Sequence, residues 1–265
     1  MRRYASDDKP EPTREEMEKQ LIPMYWLRMP RRLPGTAGTH RWVWDLRYAT
    51  PTATRYEYPI SAVPHDTPRT PEGPLALPGT YTLRLTANGK SLTAPLTVKM
   101  DPRVSSSQAE LESLFQLESR LASVLTNSAQ ADLEAHSARE QIKKLARNAG
   151  ADTKESLEKQ DKALEALLSG KEKAGGGDEE PGLDDVAEEA AGLYGQVGQA
   201  DAAPTAAQQK AGEHIAAQSK EVLEKWERIK NTSLPALNRK LNAAGLPAIN
   251  LERKPENMPE GGDED

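Results

Sequence analysis

Apolar and polar residues alternate strictly within residues 38–51, where Trp42, Trp44 and Leu46 fall on one side of an extended chain. This period of two predicts a β-strand with one strongly apolar face. Because water would otherwise contact that face, a second sheet is needed to cover it. The stretch is therefore typical of one layer of a β-sandwich.

A second alternating stretch places Tyr81, Leu83 and Leu85 on one face. The Asn-Gly pair at 88–89 favours the positive φ angles of a type I′ turn, so residues 92–100 are predicted to form the return strand of a hairpin. Seven prolines lie between the two stretches, from residue 51 to residue 78. Because each proline fixes φ and removes a backbone donor, we expect an extended loop that runs over the surface.

After residue 104 the apolar spacing changes to three and four, which is typical of amphipathic helices. A capping box of Ser107 and Glu110 predicts the start of a helix of about 40 residues, or about 60 Å. Its stripe comprises Leu114, Leu117, Leu121, Val124, Ser128, Ala131, Ala135, Ala138, Ile142 and Leu145. We expect it to form an antiparallel hairpin with the last helix of the chain, with shorter helices as the connection or as further bundle members. A freestanding coiled-coil oligomer is the alternative.

The remaining predicted helices cover residues 153–168, 183–197 and 205–245. Pro235 is expected to kink or restart the last of them, because proline cannot donate the helical hydrogen bond. Residues 169–181 are rich in Gly, Lys and Glu without apolar anchors and predict a mobile linker. Residues 251–265 are acidic and rich in Gly and Pro, so a disordered tail is expected.

Composition excludes several classes of function. The 265 residues are 36% hydrophobic, which allows only a lean core, and the absence of cysteine excludes disulfides, thiolate metal sites and cysteine catalysis. No apolar run is long enough to span a membrane, and acidic residues stand where a signal peptide would need its apolar region. The net charge is −6, and the excess of acidic residues lies after residue 102. This acidic part argues against nucleic-acid binding.

Seven segments together resemble the C-terminal region of large bacterial BNR-repeat, sialidase-like or sortilin-like glycosyl hydrolases. They are Arg2 to Pro10, Ile22 to Trp26, Gly38 to Tyr48, Tyr58 to Val63, His65 to Arg69, Pro78 to Leu85 and Met100 to Val104. Looser similarity continues through Ala202 to Gln208 and Ala243 to Pro247. In that family a long β-propeller precedes an Ig-like module similar to the one in the flagellar hook-capping protein, and a helical tail follows.

The resemblance implies an α+β fold in three parts. Residues 1–104 would be a partial antiparallel Ig-like β-sandwich, and residues 105–250 a long antiparallel helical hairpin or bundle, ahead of the tail at 251–265. The family has strands before the Arg2 segment, so only the later strands of the sandwich are expected here, as in a fragment, a split gene or a truncated gene model. The propeller and its Ser-x-Asp-x-Gly-x-Thr-Trp motif do not occur in this sequence.

Candidate catalytic residues have plainer explanations. Asp45 fits one carboxylate of a glycosidase pair, yet pairing with a neighbouring arginine or a loop amide is favoured. His65 and Asp66 are expected to form a turn in the proline-rich loop. The four histidines are scattered without a zinc-binding spacing, and no cofactor motif is present.

These observations predict a non-catalytic accessory region that serves packing, spacing or partner docking. Its partner would be the β-propeller domain of the family, with carbohydrate or another protein as further partners, and the resemblance implies an extracellular or periplasmic location. A carbohydrate-binding module using Trp42 and Trp44, or a coiled-coil adaptor, is the alternative. The candidate docking residues are Trp26, Trp42, Trp44, Asp45, His65 and Asp66.

Overall fold

The structure is a computed structural model that describes residues 2–9, 12–20, 22–59, 63–170 and 180–252. Its elements are α1 (Arg14–Glu18), β1 (Gly79–Ala87), β2 (Lys90–Val98), α2 (Gln108–Ala146), α3 (Ala151–Ser169), α4 (Leu183–Val197), α5 (Ala206–Arg228) and α6 (Leu234–Ala243). A π-helical turn, Ile229–Ser233, joins α5 to α6. The described residues thus contain both helices and an antiparallel sheet, which confirms the α+β class in part.

Internal contacts divide the chain into two compact units. The first, called the N-terminal unit here, comprises residues 1–51, 56–119 and 195–207. The second, called the helical unit, comprises residues 52–55, 120–194 and 208–265. The predicted boundary at residue 104 therefore differs from the division seen in the structure, because the first turns of α2 pack with the N-terminal unit.

The predicted hairpin is confirmed. β1 and β2 pair antiparallel with Leu85 opposite Leu92, and Asn88 and Gly89 form the turn with φ angles of 50° and 74°. Positive φ at both central positions is the type I′ geometry that matches the twist of the strands. Local turn chemistry thus determines the register of this hairpin.

The expected sandwich is not seen. In the described residues β1 and β2 form a two-stranded sheet, and the predicted strand at 38–51 is wrong. Leu46 has a φ of 58°, and the Asp45 carboxylate accepts a hydrogen bond from the Arg47 amide at 3.0 Å, so a turn interrupts the extended chain. Only an isolated bridge between Arg47 and Leu75 remains of the pairing. Alternation alone does not supply the neighbouring strand that a β-ladder requires.

The proline-rich segment is tied down more firmly than a surface loop would be. Tyr48 donates its amide to the Pro74 carbonyl at 2.8 Å, and Thr67, bridged in parallel to Leu27, is fully buried. Gly73 lies directly against the carbonyl of Tyr48, so that a β-carbon there would overlap it. Extended backbone in this segment is therefore held by individual bridges and one close glycine contact.

Helix α2 follows its prediction closely. The Ser107 hydroxyl accepts from the Glu110 amide at 3.3 Å, while the Glu110 carboxylate accepts from the Ser107 amide at 2.7 Å, which completes the capping box. The predicted stripe from Leu114 to Ile142 is buried, and Leu145 at its end is half-buried. The buried residues of the next two helices include Leu157, Leu164, Leu167 and Leu168 of α3 and Leu183, Val186, Leu193, Tyr194 and Val197 of α4. Helical periodicity therefore located most of the core.

The predicted antiparallel pairing of the first and last helices is wrong. Within the helical unit, Glu134 of α2 contacts Trp226 and Lys230, and Gln141 of α2 contacts Asn250, which lies beyond α6. Both sequence numbers rise together, so the two long helices run in the same direction. α3 supplies an antiparallel neighbour to α2 through Arg139 and Asp161, which are joined at 2.9 Å.

The helix break expected at Pro235 takes the form of the π-helical turn before it. Leu234 donates its amide to the carbonyl of Ile229, five residues back, and α6 then begins with the proline in its first turn. A proline is tolerated there because the amide it lacks has no helical partner in the first turn. Gly245, with a φ of 72°, follows the end of α6.

Two sequence predictions fall mainly outside the described residues. The linker predicted at 169–181 includes 171–179, and the tail predicted at 251–265 includes 253–265, none of which the structure describes. Within the described ranges, no helix has the length and apolar character needed to cross a bilayer.

Candidate functional site

The predicted docking residues lie in the N-terminal unit as two groups. In the first, Trp42 meets the ring of Tyr4 edge-on at 4.9 Å, and Trp44 meets Tyr81 of β1 at 5.7 Å. Trp44 donates its indole N–H to the Arg47 carbonyl at 2.8 Å. Both tryptophans are half-buried, so each combines a packing role with an accessible part of its ring.

The second group surrounds Tyr25. His65 meets the Tyr25 ring edge-on at 4.8 Å, and the half-buried Trp26 meets the same ring edge-on at 5.4 Å. Asp66 accepts from the Arg28 guanidinium at 2.9 Å. His65 has a φ of 58°, which agrees with the turn predicted for this dipeptide.

Glu72 connects the two groups through ion pairs. It binds the Arg28 guanidinium at 2.8 Å and the Arg47 guanidinium at 3.2 Å. Asp45 accepts a hydrogen bond from the Arg47 amide, and Asp66 forms an ion pair with the Arg28 guanidinium. The guanidinium of Arg69, three residues after Asp66, lies over the Tyr56 ring at 3.7 Å.

A cavity of about 250 Å³ lies within the N-terminal unit, next to the first turns of α2. Its walls are mainly aliphatic and aromatic, from the segment 75–78, the end of β2 and one side of α2. Its lining includes Leu46, Ala76, Leu114, Phe115, Glu118 and Asp201. None of these six was among the docking residues predicted from the sequence.

Glu118 is the chemically distinctive member of this cavity. Its side chain belongs to a residue only 8% exposed, and no described residue forms a hydrogen bond with its carboxylate. Burial raises its pKa to about 7, the charge of Asp201 adds to that rise, and the charge of Arg47 opposes it. A carboxyl group in such surroundings changes protonation state near neutral pH.

One sequence signal pointed to Glu118. It stands four residues after Leu114 and three before Leu121, which places it on the same side of the helix as the predicted stripe, although it was not predicted to be part of that stripe. A glutamate on an apolar helix face is unusual, because an unpaired buried charge is costly. The cavity itself could not be predicted from the sequence, because its other walls come from segments far from α2 in the chain.

A second titratable cluster lies in the helical unit. His136 Nε2 is 3.3 Å from the buried Asp132 carboxylate on the same helix, and α4 brings Asp184 to the same place. The hydrogen bond to Asp132 raises the pKa of His136, whereas burial first and the Asp132 charge second raise the pKa of Asp184. The described residues contain no set of three His, Cys, Asp or Glu side chains arranged to hold a metal ion.

Comparison with known proteins does not assign this arrangement. The chain matches no protein-family model, no curated protein sequence and no solved structure.

Proposed function

We propose that this chain is a non-catalytic accessory region that docks onto a β-rich domain through the β1–β2 hairpin. By its resemblance to sialidase-like propeller proteins, that domain is the β-propeller of the same family, at the cell exterior or in the periplasm. The observation that carries the proposal is the uncovered apolar face of the hairpin.

The hairpin is amphipathic. Its register places Tyr81, Leu83 and Leu85 on one face together with Leu92 and Leu96, while threonines dominate the other face. The end of this face near the turn is uncovered, because Leu83, Leu85 and Leu92 are 47%, 60% and 72% exposed.

Such exposure is unfavourable for a hairpin that functions alone. A two-stranded sheet is marginally stable without a covering layer, and three large leucines next to one another form an apolar patch. Burying them against a second sheet removes that patch from water at about 25 cal/mol per Å². A partner with an aliphatic sheet face or a free strand edge fits this surface.

Binding is tested by titrating the full chain with a separately produced propeller domain of this family in a calorimeter. We expect a one-to-one complex, and the double substitution Leu85→Ser with Leu92→Ser should weaken it at least tenfold. Thr82→Ser with Thr93→Ser alters the opposite face and should leave the affinity unchanged. Absence of binding, or equal weakening by the two double variants, would contradict the proposal.

Non-catalytic behaviour has its own test. The chain alone should hydrolyse no aryl glycoside or sialoside above the buffer rate. Turnover that disappears in Asp45→Asn would overturn the accessory assignment, since it would make that carboxylate a catalytic group.

Carbohydrate binding is the second candidate, because Trp42 and Trp44 are half-buried and not enclosed. Tryptophan rings with an open face stack on sugar rings. Quenching of tryptophan fluorescence by oligosaccharides, lost in Trp42→Ala, would favour this candidate over docking. Tryptophan fluorescence that does not change with any of the oligosaccharides would exclude carbohydrate binding.

A further inference from the structure

We propose that the cavity beside Glu118 is a binding site for a small amphipathic amine, with an apolar body in the cavity and an ammonium group paired to the Glu118 carboxylate. This inference goes beyond docking by the hairpin and does not depend on it. It stands on the shape of the cavity, its apolar walls and the unpartnered carboxylate that lines it.

The cavity has room for an organic molecule of modest size. Its volume of about 250 Å³ exceeds the roughly 150 Å³ that suffices for benzene in an apolar protein cavity. Leu114 and Phe115 of α2 contribute one wall, and Ala76 contributes to the facing one. Leu46 is 40% exposed and lies at the rim, so the apolar body has a route of entry.

Glu118 determines the polar end of the ligand. A buried carboxylate without a hydrogen bond is destabilised, and a charge-assisted bond to an ammonium group relieves that cost better than a neutral donor does. An anion would meet the same charge with repulsion. A single carboxylate in an apolar wall is also a poor site for Ca²⁺ or Mg²⁺, which take six or more oxygen ligands.

The charges around Glu118 agree with a cationic ligand. Arg47, whose positive charge acts on Glu118, is engaged by Glu72 at 3.2 Å. Asp201 lies on the lining and adds negative charge. Two further lining residues are charged, Lys99 and Asp101, and the second is paired with Arg103 at 2.6 Å.

Binding should follow the ionisation of Glu118. At pH 5 this carboxyl is mostly protonated, because its pKa lies near 7, whereas at pH 8 it is charged. An alkyl amine is cationic at both values, having a pKa close to that of lysine. We therefore expect at least tenfold tighter binding at pH 8 than at pH 5.

The single phenylalanine of the chain offers a direct probe. Phe115 lines the cavity, so fluorophenylalanine incorporated throughout the full chain gives one ¹⁹F resonance that reports on the site. Titration at pH 8 compares 2-phenylethylamine with the neutral 2-phenylethanol and the anionic 3-phenylpropanoate. The amine should shift the resonance saturably, the alcohol should bind at least tenfold more weakly, and the anion should leave the resonance unchanged.

Variants separate ion pairing from simple filling of the cavity. Glu118→Gln keeps the size of the side chain and should weaken amine binding at least tenfold. Glu112→Gln, at an exposed position of the same helix, is the matched control and should bind as the wild type does. Ala76→Leu should occupy part of the cavity and weaken the binding of amine and alcohol alike.

Three results would overturn the proposal. The first is an unshifted Phe115 resonance with all three compounds at pH 8. The second is an alcohol or carboxylate that binds as tightly as the amine. The third is unchanged amine affinity in Glu118→Gln, provided that the variant retains the far-ultraviolet circular dichroism of the wild type.

Discussion

The helical unit and the N-terminal unit use backbone hydrogen bonds in different ways. A helix satisfies its own amides within four residues, so a pattern of apolar positions is enough to build α2, α3 and α4. Outside the β1–β2 hairpin, the extended segments of the N-terminal unit need distant partners, which they find at isolated bridges such as Leu27 with Thr67 and Glu57 with Thr70. Stability in one unit thus depends on a continuous apolar stripe, and in the other on a few specific contacts.

The largest expected loss of stability comes from a substitution in the buried apolar stripe of α2. Leu121 is completely buried in α2, so Leu121→Ala should lower the free energy of unfolding by about 3 kcal/mol through lost burial and an unfilled cavity. Denaturant titration followed by circular dichroism at 222 nm measures this change. Leu145→Ala, at a half-buried position of the same helix, should cost less than half as much. Equal costs at the two sites would mean that the stripe is not the main source of helical stability.

A smaller effect is expected where a single contact holds extended backbone. In Gly73→Ala the new β-carbon meets the Tyr48 carbonyl and comes within 2.7 Å of the Ala49 oxygen, which should destabilise the N-terminal unit by about 2 kcal/mol. Tryptophan fluorescence should report the loss at lower denaturant while the helical signal persists. Gly79→Ala adds a β-carbon that has no atom within 4 Å and serves as the control. Simultaneous loss of both signals would show that the two units unfold as one.

The effect that vanishes in acid concerns Glu118. Its pKa is raised from 4.5 to about 7 on folding, so the native state binds the extra proton and the free energy of unfolding decreases as pH rises from about 4.5 to about 7. Glu118→Gln does not titrate, so its gain over wild type should be about 1 kcal/mol near pH 5.5 and up to about 3 kcal/mol at pH 8, and it should be lost below pH 4.5.

The quantity to measure is the difference in the free energy of unfolding between Glu118→Gln and the wild type. His136 and Asp184 also carry raised pKa values, so they too lose stabilisation as pH rises, but they do so equally in both proteins. Chemical denaturation at intervals from pH 4 to pH 8 gives the difference curve. A constant offset across that range would show that Glu118 does not titrate as its burial indicates.

The limits of sequence-based prediction follow the same contrast. The Ser107 capping box, the α2 stripe and the Asn88-Gly89 turn depend on residues close together in the chain, and all were found from sequence. The strand predicted at 38–51 is wrong, because the pattern around Trp42 and Trp44 contains no information about the partner that a strand needs. The direction of the last helix relative to α2 depends likewise on the path between them.

The candidate site was predicted in part. Trp26, Trp42, Trp44, Asp45, His65 and Asp66 were selected for their chemistry, and the structure places them in two aromatic and ionic groups of the N-terminal unit. Glu118 had a sequence signal in its position on the side of α2 that carries the apolar stripe. The cavity itself had none, since it forms between α2 and segments that the sequence alone does not bring together.

The π-helical turn at Ile229–Ser233 has a consequence for how this helix tolerates change in length. Buried positions in α5 recur at three and four residues through Ile215, Ser219, Val222 and Trp226, but the next buried leucine, Leu234, comes eight residues after Trp226. A regular α-helix rotates about 100° per residue and would reach the same side after seven. The wider turn absorbs the additional residue, so it acts as a phase correction within one helix. Removing one residue from it should bring Leu234 seven residues after Trp226 and keep the buried face in step, although Pro235 would still interrupt the hydrogen bonds of the helix.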